Sequence, residues 1–188
     1  QRLAAYHGAK AHGGAALTII EAARVHPTGD SGRPAIRAYD PACVPGYKKL
    51  AGECQPHGCL VFGQLTHPGR EMALASDGSR PVAYAPAAIP NERFHVMPRA
   101  MPISLINEII KGFELSASHL REAGLDGIEL VASHGYLLGQ FLNPKINLRT
   151  DKYGGNFEGR LRFLKDAIEA TRRGAGGEMV LGVRLSGE

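Results

Sequence analysis

Four short apolar runs in this chain each lead into polar residues, and stretches of helical period separate them. The runs are Ala16 to Ala22 (ALTIIEA), Cys59 to Leu65 (CLVFGQL), Gly127 to Ala132 (GIELVA) and Met179 to Leu185 (MVLGVRL). Their length and β-branched content read as buried strands. Before the second run, Val44, Tyr47, Leu50, Ala51 and Cys54 form an apolar stripe with Pro45 in the first turn. Before the third, Ile106, Ile109, Ile110, Phe113, Ala117 and Leu120 form another, with Ser104 as the expected cap and Gly124 as the stop. Leu161, Leu164, Ala167, Ile168 and Thr171 follow Asn156 in the same way, and a first helix over Gln1 to Ala11 closes at Gly13 and Gly14. Helices and strands alternating in this order imply an α/β fold, a parallel sheet joined by right-handed crossovers. A doubly wound sheet and a barrel both fit, and both gather chemistry at strand carboxyl ends. No Gly-rich dinucleotide fingerprint follows any of these strands.

The polar clusters are therefore the candidate chemistry. Arg24, Val25, His26 and Pro27 follow the first strand, Thr66 to Arg70 the second, and Ser133, His134, Gly135 and Tyr136 the third. Alternation along the third strand puts Glu129 and Val131 on one face, able to look into a barrel, and Ile128 and Leu130 on the other, against helices. Met72 to Pro102 is rich in Pro, Ala and Ser without a sustained period, which predicts a long functional loop carrying a small hairpin.

Composition removes several classes of function. With 44% hydrophobic and 21% charged residues the chain is neither disordered nor collagen-like. The formal charge of +4 leaves room for an anionic ligand, but the basic residues are scattered and only 6% of residues are aromatic, so no nucleic-acid partner is expected. No window approaches the roughly 18 to 20 apolar residues of a membrane span. Gln1 opens directly in a helix-like pattern without a signal peptide, and the expectation is a cytoplasmic protein. Cys54, His57 and Cys59 lie close in sequence. A helix-end and a strand cysteine are more often small buried hydrophobes, and no fourth ligand has zinc-site spacing, so no metal is expected.

The segments HGYLLGQFLNP, Asn147, RTDKYGG and the ENR-like stretch after it together resemble the Old Yellow Enzyme family of FMN oxidoreductases. The likeness extends along the chain: GGAALTIIEAARVHPTG is similar to the family's second barrel strand, VFGQLTHPGR to its third and LGVRLS to its fifth. The resemblance implies a TIM (β/α)8 barrel of which residues 1–188 hold about half, strands 2 to 5, with strand 1 and strands 6 to 8 absent. It also implies flavin contacts. Gln64 matches a glutamine whose amide complements the alternating carbonyl and N–H edge of the flavin pyrimidine. Arg184 matches an arginine near flavin N1 and the C2 carbonyl, where a fixed cation favours reduced flavin. Ala22 falls where a small residue lets the ring edge approach. Read without the motif, Gln64 is an ordinary interior amide and Arg184 one end of an ion pair with Glu129.

His134 and Tyr136 resemble the family's active-site pair, the histidine holding the substrate's electron-withdrawing oxygen and the tyrosine protonating carbon. That division suits hydride addition to an activated alkene, which creates enolate charge that needs a donor and a carbon that needs a proton. As ordinary residues, His134 would bond backbone and Tyr136 would pack. Three features depart from the family. Val131 stands where many ene-reductases carry a second histidine and amine-oxidising relatives a tyrosine; Asn156 and Gly159 replace the Ser and Asn of YGGSxENR; and the phosphate loop after strands 7 and 8 is not in this sequence. The resemblance implies reduction of an enone, enoate or dienoyl thioester by NADH or NADPH through flavin N5. As the runner-up it admits amine dehydrogenation, an N-demethylation of N-methylated amines or amino acids, and it also admits a [4Fe–4S] cluster in a C-terminal part. As a different class, a half-barrel with open edges at strands 2 and 5 would serve as a non-catalytic folding or assembly unit, and such edges also favour a homo-oligomer.

Overall fold

Alternation along the apolar runs decides the layers. In the computed structural model, which describes residues 1–30, 34–75 and 77–187, the runs become β1 (Leu17–Arg24), β2 (Leu60–Thr66), β5 (Gly127–Ala132) and β6 (Val180–Leu185). They form one parallel sheet in the order β1-β2-β5-β6. Around it lie α1 (Arg2–His12), α2 (Val44–Cys54), α3 (Ile103–Glu122), α4 (Leu137–Leu142) and α5 (Phe157–Ala175). Ile20, Val61, Leu65, Ile128 and Leu130 are wholly buried beneath the helices. Gly63 belongs to the same face and lacks a side chain because Leu120 of α3 fills the space a Cβ would need. The other face is open: Leu17, Leu60 and Val180 are 45%, 48% and 53% exposed. Strands in sequence order with helices on one face describe a barrel wall, whereas a doubly wound sheet reverses its order and carries helices on both faces.

The sheet register is regular except at one place. Ile20 pairs with Gly63 and Ala23 with Leu65, so two residues of β1, Glu21 and Ala22, stand opposite the single Gln64. This bulge carries β1 two residues beyond the sequence expectation, to Arg24. Helix α3 also begins differently: Pro102, extended at φ −69° and ψ 155°, is the N-cap, and Ser104 lies inside the first turn without capping it. Proline fixes φ and has no N–H to satisfy, so the helix starts directly behind it. Asn156 does cap α5, accepting from the Gly159 N–H at 2.9 Å.

The long loop holds no hairpin of its two strands. β3 (Tyr84–Ala85) and β4 (Arg99–Ala100) run parallel, and the antiparallel element is a single bridge, Asn91 to Val96. Arg149 explains the geometry. Its side chain is 9% exposed, forks onto Asp151 at 2.6 and 3.1 Å, and donates to the carbonyls of Pro86 and Met101 at 3.0 and 2.7 Å. The RTDKYGG segment therefore braces the loop. Asn147 donates to the carbonyls of Phe141 and Tyr153, and the Tyr153 hydroxyl donates to Asp166 at 3.0 Å. Cys54 and Cys59 are buried, and among the described residues no group of His, Cys, Asp and Glu gathers as a metal site.

Candidate active site

The open face and the carboxyl end of the sheet meet where β2, β5 and β6 stop. Gln64, Glu129 and Gly182 occupy one register row, and Val131 and Arg184 share the row two residues further along. Glu129 joins the two residues expected to hold a cofactor. Its Oε1 accepts from the Gln64 amide at 2.5 Å and stands 3.9 Å from Arg184 Nη1, the far end of ion-pair range. One carboxylate thereby turns the Gln64 amide and holds the half-exposed guanidinium over the sheet. Ala22, in the bulge, lies beside Gln64, and Gly182 leaves open space on the other side of Glu129.

Ser133 ends the third strand run, and the backbone turns through His134 at φ +58° and Gly135 at +71° before α4 begins. The left-handed pair throws the His134 side chain out of the sheet into the exposed mouth. Ser133 Oγ lies 2.6 Å from His134 Nδ1. A hydroxyl donating there leaves Nε2–H as the ring's outward donor. Tyr136 is half-buried, with its ring centroid 6.2 Å from that of His134. Its backbone is fixed at the start of α4, where its N–H donates to the Ser133 carbonyl at 3.1 Å. The structure thus brings Gln64 and Arg184 together through Glu129, and His134 and Tyr136 together at the end of β5.

Sequence reasoning missed what holds these loops. Gln140 of α4 is wholly buried, donates to the carbonyls of Pro68 and Gly135 at 3.1 and 2.6 Å, and accepts from the Arg70 N–H at 3.3 Å. Gly69 has φ +62°, and a Cβ there would strike the Gln140 amide. His67 is buried too. Its Nδ1 accepts from the Gly69 N–H at 3.0 Å, so Nε2 carries the proton and faces Thr28 Oγ1 at 3.1 Å, which in turn lies 2.8 Å from His26 Nδ1. Burial, with the charges of His26 and Arg24 behind it, pushes the His67 pKa down to about 3. A neutral imidazole therefore links the loops after β1 and β2, and the His67 carbonyl accepts from the Leu137 N–H at 2.9 Å. Only the crowding of His, Thr and Gly at strand ends marked this network in the sequence.

Residues 1–188 match the family described as NADH:flavin oxidoreductase / NADH oxidase. The chain belongs to that family. The chain is 38% identical over 168 residues to an NADPH dehydrogenase of Bacillus velezensis, a match covering 89% of this chain and 48% of that protein. It is 35% identical over 182 residues to the "Multifunctional alkene reductase/demethylase OYE" of Caballeronia cordobensis, covering 96% of this chain and 27% of that one. The solved structure of morphinone reductase in complex with tetrahydroNAD superposes with a TM-score of 0.86 at 28% identity, covering 98% of this chain and 54% of that one. The chain thus spans about half or less of the length of these relatives, and its four strands are part of a TIM barrel. As a NADH:flavin oxidoreductase family member it can be tested against FMN. The donor set fits: an amide able to donate and accept, a guanidinium half in solvent, and small Ala22 and Gly182 where a flat ring needs room. No helix of the described residues is long and apolar enough to cross a membrane.

Proposed function

We propose that the protein to which this chain belongs is an FMN-dependent NAD(P)H oxidoreductase that reduces an activated C=C bond, such as that of an enone, enoate or dienoyl thioester. The observation that carries the reading is the convergence of Gln64 and Arg184, from the two neighbouring strands, on Glu129 of β5, the strand that ends in the His134 and Tyr136 turn. FMN, when bound, would supply the hydride transfer from NAD(P)H to the alkene carbon. Gln64 and Arg184 would hold its pyrimidine edge, with Arg184 offsetting negative charge there. His134 Nε2–H donates to the substrate's oxygen and stabilises the enolate as the alkene π electrons move onto it. Tyr136 then gives its hydroxyl proton to the neighbouring carbon, completing addition of H⁻ and H⁺ across the bond. The phosphate loop, any [4Fe–4S] cluster and the remaining strands would come from outside residues 1–188, in a cytoplasmic protein acting on a small molecule.

A second reading is N-demethylation of an N-methylated amine or amino acid. Val131, buried and apolar, supplies neither the histidine of many ene-reductases nor the tyrosine of amine-oxidising relatives and does not choose between the two. The full-length protein separates the two. Purified protein should be yellow and be bleached anaerobically by NADH or NADPH, and an enone should restore the colour. Bleaching by an N-methyl amino acid but no reoxidation by an enone would replace the first reading with the second. A colourless protein that binds no FMN would leave only a non-catalytic assembly unit.

A further inference from the structure

Tyr136 follows a glycine, so the backbone is freest where a proton donor needs it fixed. His134 and Gly135 are both left-handed, at φ +58° and +71°. A histidine in that region is strained and persists only where its surroundings hold it. The glycine beside it lets the next peptide plane rotate with little steric resistance. That plane joins Gly135 to Tyr136, and its orientation sets the direction in which the Tyr136 side chain leaves the backbone.

Both ends of the plane are held. Its N–H donates to the Ser133 carbonyl at 3.1 Å, and its carbonyl, that of Gly135, accepts from Gln140 Nε2 at 2.6 Å. The other amide hydrogen of Gln140 goes to the Pro68 carbonyl at 3.1 Å, and its Oε1 accepts from the Arg70 N–H at 3.3 Å. Both donors and the acceptor of this wholly buried amide are therefore in use. Gln140 is itself fixed, since its N–H donates to the Tyr136 carbonyl at 2.9 Å in α4. A Cβ at Gly139 would lie 2.9 Å from the Ala132 carbonyl oxygen, so α4 sits directly on the end of β5.

Pro68 and Arg70 matter because of the strand they follow. Their loop leaves β2, which carries Gln64 and ends at Thr66. Gln140 thus ties the Tyr136 peptide to the strand with the proposed flavin contact as well as to its own strand. An apolar side chain of the same size would fill the space equally well, but it would leave the Gly135 carbonyl free to turn.

We infer that Gln140 is the positioning residue for the proton-donating step. By holding the peptide between Gly135 and Tyr136 against the loop after β2, it sets where the Tyr136 hydroxyl meets the carbon that receives the proton. Gln140 acts through that peptide and touches neither substrate nor flavin. Its catalytic meaning rests on the reductase reading of Tyr136, whereas the clamp itself does not.

The test uses the full-length, FMN-loaded protein carrying Gln140→Met, which roughly keeps the volume and removes every hydrogen bond of the amide. Gln140→Leu stands in if the methionine variant does not fold. In hydrogen exchange read by mass spectrometry, amides of residues 134–137 should exchange at least roughly tenfold faster than in wild type, with those of β5 within about threefold. Alkene reduction should slow by roughly 10- to 100-fold, the scale of an ångström's misplacement, and flavin reduction by NADH should stay within about threefold. In a Tyr136→Phe background the same substitution should cost less than about threefold more, because a proton donor already removed cannot be misplaced. Unchanged exchange at residues 134–137, or losses from the two substitutions that multiply, overturns the inference. Failure of the broader reading looks different. Tyr136→Phe with wild-type alkene rates, or protein without FMN, defeats the reductase assignment and the catalytic half of the inference with it, and exchange still decides the clamp.

Discussion

Glu129 gives the site its aim. A carboxylate on an inward strand position loses most of its water and needs partners, and it finds one on each neighbouring strand, the Gln64 amide as donor and the Arg184 guanidinium as a counter-charge 3.9 Å away. The two side chains are held from below and keep outward hydrogen-bonding capacity for a ligand. At the mouth, Ser133 does the same for His134. Tyr136 has a fixed backbone, and among the described residues no hydrogen bond of its hydroxyl competes with the reductive role proposed for it. Replacing it with Phe keeps the ring and removes the proton. In the full-length enzyme Tyr136→Phe should slow alkene reduction by roughly 100-fold or more and leave flavin reduction by NADH nearly unchanged, since only the first needs a general acid. His134→Ala should raise KM as well as lower turnover, because it removes a contact already made in the ground state. Stopped-flow measurement of the two half-reactions checks both, and wild-type alkene rates in both variants would show that the proton comes from elsewhere.

Between elements, the loops at the carboxyl end are tied by buried polar groups, which makes part of their stability pH-dependent. His67 is neutral in the folded protein down to about pH 3, whereas an unfolded chain protonates its imidazoles below roughly pH 6.5. Between those values the unfolded state binds more protons. Its contribution is therefore fully present above about pH 6.5 and is lost as pH falls toward 3, with a slope of at most about 1.4 kcal/mol per pH unit. His67→Gln should lower the melting temperature at neutral pH and flatten its decline between pH 6.5 and 4; melting curves that stay parallel to wild type across that range would sink the argument. The same elements show what a sequence carries. Gln64, Glu129 and Val131 were legible because an unbroken strand has period two. The face taken by Arg24, named only as part of the polar cluster after the first strand, was not, because the bulge before it changes the parity. Helix α4, six residues inside a polar cluster, is too short to show a period, and the parallel pairing of β3 with β4 is imposed by Arg149 from a distant segment. Ser104 looked like a cap by residue type, but the preceding proline had already set the helix start.

For the whole molecule, the face that carries the proposed flavin contacts is also the face left open. Leu17 and Leu60 at one end of the sheet and Val180 on β6 are about half exposed, and Arg184 is 50% exposed. In a barrel these rows are covered by the facing strands, whose side chains fill the interior in layers and exclude water from the groups near the carboxyl end. Hydrogen bonds from Gln64 and Arg184 to a ligand gain from that exclusion, because the same contacts are weaker in high dielectric. A phosphate on the cofactor needs its own cradle of N–H donors, which a barrel of this kind builds after its seventh and eighth strands. Residues 1–188 alone should therefore bind FMN at least roughly 100-fold more weakly than the full-length protein, the loss expected from about two charge-assisted hydrogen bonds. Riboflavin, which has no phosphate, should lose less than FMN does between the two. Fluorescence titration of both flavins against both proteins measures this. Stoichiometric, tight FMN binding by residues 1–188 alone would mean that the open sheet face is sufficient, and that the Gln64, Glu129 and Arg184 row carries the cofactor without a phosphate site.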